Sequence, residues 1–274
     1  MAAKDDTAID FLQLLREEKR LARHKKRIDA RLQRKEEQEA YDKVLQLPVW
    51  SDDFCSSAFP LLDPTKHRVS QLIDTVHYVP QFLSDQTSLL QWLQALTENT
   101  TTSALPVASQ GRWNTMTYGK RRVALFINDL PPPIQQLADI LVERGFFLPS
   151  QTPNHVLVNE YQPGQGILPH TDGPAYLAQT ATLSIGQSSV LLKFVPRLRT
   201  DDIGRIRVAT TEEVLLEGDG SLVVFSDDAY SKYTHGIDDL TEEVASTKCV
   251  NAETGTMVQR GFRISLTFRH ALSL

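Results

Sequence analysis

The sequence predicts an α+β protein built on a β-sandwich or jelly roll, and three observations predict it. Two helix-patterned segments with cap residues stand in the first half of the chain. From Asn154 onward the pattern is β throughout, in short runs that alternate or are rich in β-branched residues. The two kinds of segment follow one another, helices first and strands after, rather than alternating as in a parallel sheet.

The elements follow in order. Residues 8–47 contain no Gly and are rich in Leu, Glu, Lys, Arg and Ala, all good helix formers. The spacing predicts one long, mostly solvated helix that ends near Pro48, with apolar positions too sparse for a coiled coil. Between Arg16 and Lys35 it carries ten Lys/Arg against three Asp/Glu. Its plain reading is a charged surface helix; its functional reading is nuclear import through RHKKR, or contact with phosphates or a protein partner. Residues 48–68 hold three prolines among scattered Ser and Asp, as a linker does. The expected division is therefore a helical extension over 1–47, a linker over 48–68 and a domain over 69–274.

VHYVPQFLS reads as a short strand leading to an N-cap at Ser84, with the helix SLLQWLQAL after it. PPPIQQLADILVERGFF is a second helix, with prolines at its start and Gly145 at its end. HVLVNEY, ATLSIG, SVLLKF, EEVLLEGDGSLVVFS and FRISLTFR are the strands that follow.

Bulk properties narrow the function. The chain has 274 residues, 41% of them hydrophobic and 23% charged, an ordinary globular composition. No run approaches the roughly 18 apolar residues that cross a membrane. The start, MAAKDDTAID, lacks the apolar core of a secretory signal. Two cysteines, Cys55 and Cys249, form neither a disulfide framework nor a zinc site, so a cytoplasmic or nuclear location is expected. The net charge of −5 excludes wholesale coating of nucleic acid but not a local basic patch.

NEYQPGQGILPHTD carries two pairs at i and i+2, Asn159 with Tyr161 and His170 with Asp172, and such pairs share one face of a strand. His235 follows the strand SLVVFS. Two imidazoles and one carboxylate on one side of a metal leave positions open for Fe(II) oxygen chemistry. The last strand, RISLTFR, puts Arg263, Ser265, Thr267 and Arg269 on one face. Arginines buried there need an anionic partner, and a small dicarboxylate supplies one. An exposed face is the alternative. His155 and His270 read as structural, and Asp227 and Asp228 as a solvated turn or as groups orienting a ligand.

Together, N-x-Y, H-x-D, a later His and R-x-S-L-T-x-R resemble the AlkB family of Fe(II)/2-oxoglutarate dioxygenases. NHVLVNEYQPGQGILPHTDGPAY, ATLSIG and YTHGI are similar to its homologue-six subfamily. The resemblance spans roughly residues 70–274 and implies a double-stranded β-helix core. It implies that His170, Asp172 and His235 hold iron and carry catalysis. It further implies that Asn159 and Tyr161 hydrogen-bond 2-oxoglutarate, that Arg263 pairs with its distal carboxylate, and that Ser265 and Arg269 complete the pocket. Ser265 stands where bacterial AlkB has Asn.

Fe(II), 2-oxoglutarate and O2 are the implied cofactor and cosubstrates. The implied reaction is oxidative demethylation of an alkylated DNA or RNA base, with release of formaldehyde. Two alternatives are the same chemistry on a protein or small molecule, and a binding module without catalysis. The family's nucleotide lid falls on QGRWNTMTYGKRRV, which makes Arg112, Trp113, Tyr118 and Lys120 the candidate substrate contacts.

Overall fold

A computed structural model describes residues 11–50, 56–70, 73–98, 111–117, 119–197 and 210–272, with side chains outside the description at 11–15 and 98. Cys55 and Tyr118 lie outside the described residues. Among those described, no helix is long and apolar enough to cross a membrane.

The first element is the expected long helix, α1 (Phe11–Leu45). It is exposed from residue 16 through residue 36, but its last turns are not a free extension. Tyr41 is 2% exposed and belongs to the core, where Val44, Leu45, Val49 and Trp50 also pack. The Tyr41 hydroxyl donates to the Gly111 carbonyl, and the Trp92 indole N–H donates to the Val44 carbonyl at 2.9 Å. That carbonyl also accepts the Leu47 N–H at 3.1 Å, so the indole adds a tertiary contact to the closing turn of α1.

The short helix α2 (Pro64–His67) starts at Asp63, whose carboxylate accepts the Thr65 and Lys66 N–H groups. Strand β1 (Val76–Val79) leads to α3 (Thr87–Glu98). The acceptor at the start of α3 is Asp85 rather than Ser84; its Oδ1 takes the Thr87 N–H at 2.9 Å. β2 (Asn114–Thr115) and β3 (Arg122–Ile127) precede α4 (Pro132–Glu143). Gly145 closes α4 at φ +83°, a conformation that favours glycine.

The β-rich half supplies β4 (His155–Tyr161), β5 (Ile167–His170), β6 (Gln179–Gly186), β7 (Val190–Pro196), β8 (Glu212–Leu216) and β9 (Asp219–Ser226). A one-and-a-half-turn helix, α5 (Asp227–Lys232), then interrupts it; no sequence pattern marked this helix. β10 (Tyr233–Ile237), β11 (Glu242–Val244), β12 (Met257–Gln259) and β13 (Arg263–Arg269) complete the chain.

One sheet has the order β1-β9-β6-β13-β4-β3-β2 and a second the order β5-β10-β7-β8, both antiparallel, with β11 and β12 forming a separate pair. From β4 onward the chain passes back and forth between the two main sheets, which is the jelly-roll winding the sequence predicts. Strand alternation then divides the large sheet into two faces. Val156, Val158, Leu183, Leu222, Ile264, Leu266 and Phe268 pack with α3 and α4 in one core. Val223 and Phe225 look the other way, toward Leu192 and Phe194 of the small sheet. The polar face of β13 lies in that inter-sheet space, so it is buried, not solvated.

Candidate metal and cosubstrate site

β5 and β10 are antiparallel neighbours, and His170 stands directly opposite His235. Their rings are 4.4 Å apart between centroids. Asp172, just beyond β5, brings Oδ1 to 3.9 Å from Nε2 of each histidine. One ligand atom from each of the three residues lies within 4.8 Å of the other two, and no other such group of His, Cys, Asp or Glu occurs among the described residues.

The surroundings orient each donor. Nδ1 of His170 lies 2.9 Å from the Leu168 carbonyl, which can only accept, so Nδ1 donates there and Nε2 is the ring nitrogen turned to the site. His235 is buried against Phe194 and Phe225, and that burial pushes its imidazole down to about 4 and keeps it neutral. Burial opposes the charge on Asp172, yet the charge of Arg269 and the hydrogen bonds from Arg269 and Thr180 outweigh it and hold the carboxyl below its usual range. Arg269 donates to Oδ1 at 2.5 Å and Thr180 to Oδ2 at 2.7 Å, which fixes the carboxylate's orientation.

Beside the triad, a cavity is lined by Asn159, Tyr161, His170, His235, Arg263, Ser265 and Arg269, with Leu157, Leu192, Phe225 and Ile237 as apolar walls. Asn159 and Ser265 are register partners on β4 and β13, as are Tyr161 and Arg263. Arg263 is 2% exposed. It donates to Ser184 Oγ at 2.8 Å and lies 5.3 Å from the Tyr161 ring centroid, while its Nε has no partner. Among the described residues no carboxylate lies within ion-pair distance of it. Burial, with a smaller push from Arg260 and against the opposing influence of Tyr161, brings the guanidinium down to about 10, so it remains charged and has no acidic partner. An uncompensated buried cation costs several kcal/mol, on the order of what a bound carboxylate returns.

The expected residues thus divide. His170, Asp172 and His235 meet, and Asn159, Tyr161, Arg263 and Ser265 meet beside them. Arg269, expected to complete the cosubstrate pocket, borders that cavity but is bonded to Asp172 and stacked on Tyr176 at 5.3 Å. Arg112, expected at the substrate, donates to Gln38 of α1 and lies over the Tyr41 ring. Trp113 packs against the helix-side core with Arg122 over its ring at 5.1 Å. Neither borders the cavity. Lys120 is exposed, and Tyr118 lies outside the described residues.

Arg121, which the sequence reading did not single out, donates through Nε to Asn159 Oδ1 at 3.1 Å. That bond turns the Asn159 Nδ2 donor toward Ser265. The basic KRR run was a signal for it, but nothing in the run distinguishes the inward arginine from its neighbours. His155 contacts Tyr176 and His270 contacts the Thr152 carbonyl, both as structural groups. Asp227 and Asp228 are exposed at the start of α5.

The sequence profile of the 2OG-Fe(II) oxygenase superfamily matches residues 75–269. The chain belongs to that superfamily. A zebrafish (Danio rerio) protein named "Probable RNA/DNA demethylase ALKBH6" is 32% identical over 218 residues, covering 77% of this chain and 91% of that one. This places the oxygenase in the AlkB type. A protein of Acanthamoeba polyphaga mimivirus, "Uncharacterized protein L905", is 27% identical over 146 residues, 53% of this chain and 60% of its own.

Among solved structures, OsALKBH1 aligns over 72% of this chain and 96% of its own at 15% identity and a TM-score of 0.42. A Pseudomonas putida prolyl-4-hydroxylase aligns over 74% and 98% at 12% identity and 0.45. Membership of the superfamily makes this chain an enzyme that uses Fe(II), 2-oxoglutarate and O2, and its donor set fits the metal. Two imidazoles and one carboxylate leave open positions, which suits Fe(II) better than a closed zinc site.

Proposed function

We propose that this AlkB-type oxygenase removes methyl groups oxidatively from bases of a nucleic acid. In this reading His170, Asp172 and His235 hold Fe(II), which supplies the activation of O2 coupled to decarboxylation of 2-oxoglutarate. Arg263 receives the distal carboxylate, assisted by Tyr161 and Ser265. Asn159, oriented by Arg121, offers its amide to the other end. Arg269 and Thr180 keep Asp172 ionised and in place, and the Phe194 and Phe225 rings keep water away from His235.

One observation carries the chemistry: a fully buried, charged Arg263 without an acidic partner lines the same cavity as His170 and His235, which meet Asp172 at its edge. The nucleic-acid half rests on the similarity to the zebrafish protein, whose name specifies RNA or DNA.

A mass-spectrometric screen of methylated DNA, RNA and peptide substrates, read as demethylated product and succinate in equal amounts, tests both halves. Product from an oligonucleotide is expected, dependent on Fe(II) and 2-oxoglutarate. Product from peptides alone, an outcome the net charge of −5 also suits, would overturn the substrate. Succinate formation unchanged in His170→Ala would overturn the metal assignment.

A further inference from the structure

We infer that the exposed part of α1 is a docking arm for the phosphate backbone of a nucleic acid strand, separate from the catalytic cavity. The reading of the active site above enters only in the choice of polyanion.

Arg16, Arg20, Arg23, Arg27, Arg31 and Arg34 recur at intervals of three and four. At about 3.6 residues per turn they form one stripe roughly 27 Å long, with a guanidinium at nearly every turn. All six are exposed. Glu18 and Asp29 fall on the opposite side of the helix. Arg20 has only an exposed contact with Glu17 at 3.4 Å, and such a pair contributes little. Among the described residues the other five have no carboxylate within ion-pair distance.

This arrangement is unfavourable for a helix that needs only to be a helix. Like charges at i and i+4, as in Arg16 with Arg20, Arg23 with Arg27 and Arg27 with Arg31, each destabilise it by about 0.2–0.5 kcal/mol. A row of phosphates relieves that repulsion, and releases condensed counterions as it binds.

The stripe also has a direction. Arg27, Arg34 and Tyr41 are spaced by seven, so the basic face runs into the face by which α1 is anchored in the core. A strand lying along it is led toward the domain. α1 precedes the residues spanned by the family profile, so the arm lies outside the matched domain. A membrane surface is a poorer fit. Among the described side chains of α1, the exposed apolar residues Leu21, Ile28 and Leu32 are too few for the continuous apolar face of a helix that lies in a bilayer.

The test is fluorescence anisotropy of dye-labelled, unmethylated single strands with the full chain, between about 50 and 200 mM salt. Arg23→Gln/Arg27→Gln is compared with the charge-matched Lys25→Gln/Lys35→Gln, which lies off the stripe, and circular dichroism verifies that the helix persists in both. The stripe pair is expected to bind on the order of tenfold more weakly at about 0.1 M salt, with the log–log slope shallower by about 1.4. The off-stripe pair is expected to stay within about threefold, as is RNA relative to DNA.

Equal losses in the two variants, no loss in either, or tighter binding to phosphatidylserine vesicles than to oligonucleotides would overturn the inference. A blank demethylation screen beside an intact stripe effect would sink the catalytic substrate and leave the arm standing.

Discussion

Arg263 and Arg269 sit at opposite ends of one strand, on the same face, both buried and both with Nε unpartnered. Arg269 meets Asp172 at 2.5 Å. Arg263 meets only a hydroxyl and an aromatic ring. The same residue type on the same face is thus a tether at one end and, under the proposed function, a receptor at the other. Strand period decides which way a side chain looks, but the neighbouring strands decide whether anything answers it.

Substitutions can break this comparison. Asp172→Ala should have the largest effect, abolishing succinate formation. It should also lower the metal-free stability by about 3–5 kcal/mol, because it leaves Arg269 as an unpaired buried charge. Urea unfolding of the apo protein measures the second part, and an unchanged midpoint would show that the tether contributes nothing.

The two arginines should then separate. Arg263→Met should raise the KM for 2-oxoglutarate on the order of 100-fold, the loss of about two charge-assisted hydrogen bonds. It should leave the cosubstrate-free protein at least as stable as before. Arg269→Met should instead cost the empty protein about 3 kcal/mol. If Arg263→Met lowers apo stability as much as Arg269→Met does, the two ends are equivalent and the receptor assignment fails.

Arg121→Met probes the same pocket one bond further out. An increase of about three- to tenfold in the KM for 2-oxoglutarate at unchanged kcat is expected from losing one hydrogen bond to Asn159. Arg121→Lys should recover part of it; a fall in kcat alone would place Arg121 elsewhere in the cycle. The smallest effect on activity belongs to Trp113→Ala, which should destabilise the fold by about 2 kcal/mol through lost packing while leaving oligonucleotide affinity unchanged. A raised substrate KM at full stability would return Trp113 to the lid.

What was legible in the sequence follows the range of the forces involved. The alternation of RISLTFR and the i, i+2 pairs are local, and the register of β4, β13, β5 and β10 carries them unchanged into the cavity. The jelly-roll winding was legible for the same reason, since each strand's period and turn chemistry are its own. The lid segment was not. Trp113 and Arg112 have the composition of a base-binding surface, but their partners, Arg122, Gln38 and Tyr41, come from distant parts of the chain. The capping oxygen at Asp85 and the turn of helix at Asp227–Lys232 escaped for a smaller reason: Ser-Asp and Asp-Asp runs satisfy several local geometries equally well. The linker reading of residues 48–68 was compositional, and composition cannot see that Val49 and Trp50 pack against the core.

Gly166 and Gly236 lie one on each of the two segments that carry the histidines. A methyl group on Gly166 would sit 2.2 Å from the Ile237 carbonyl oxygen, and one on Gly236 would sit 2.8 Å from the Pro169 nitrogen. Main chain therefore touches main chain beside the imidazole pair, along the β5–β10 ladder, and the gap between the imidazoles is gauged by atoms that have no rotamers to change. A centre calibrated in this way keeps its bite whether or not an ion is present, so loading it demands little rearrangement of the surrounding polypeptide.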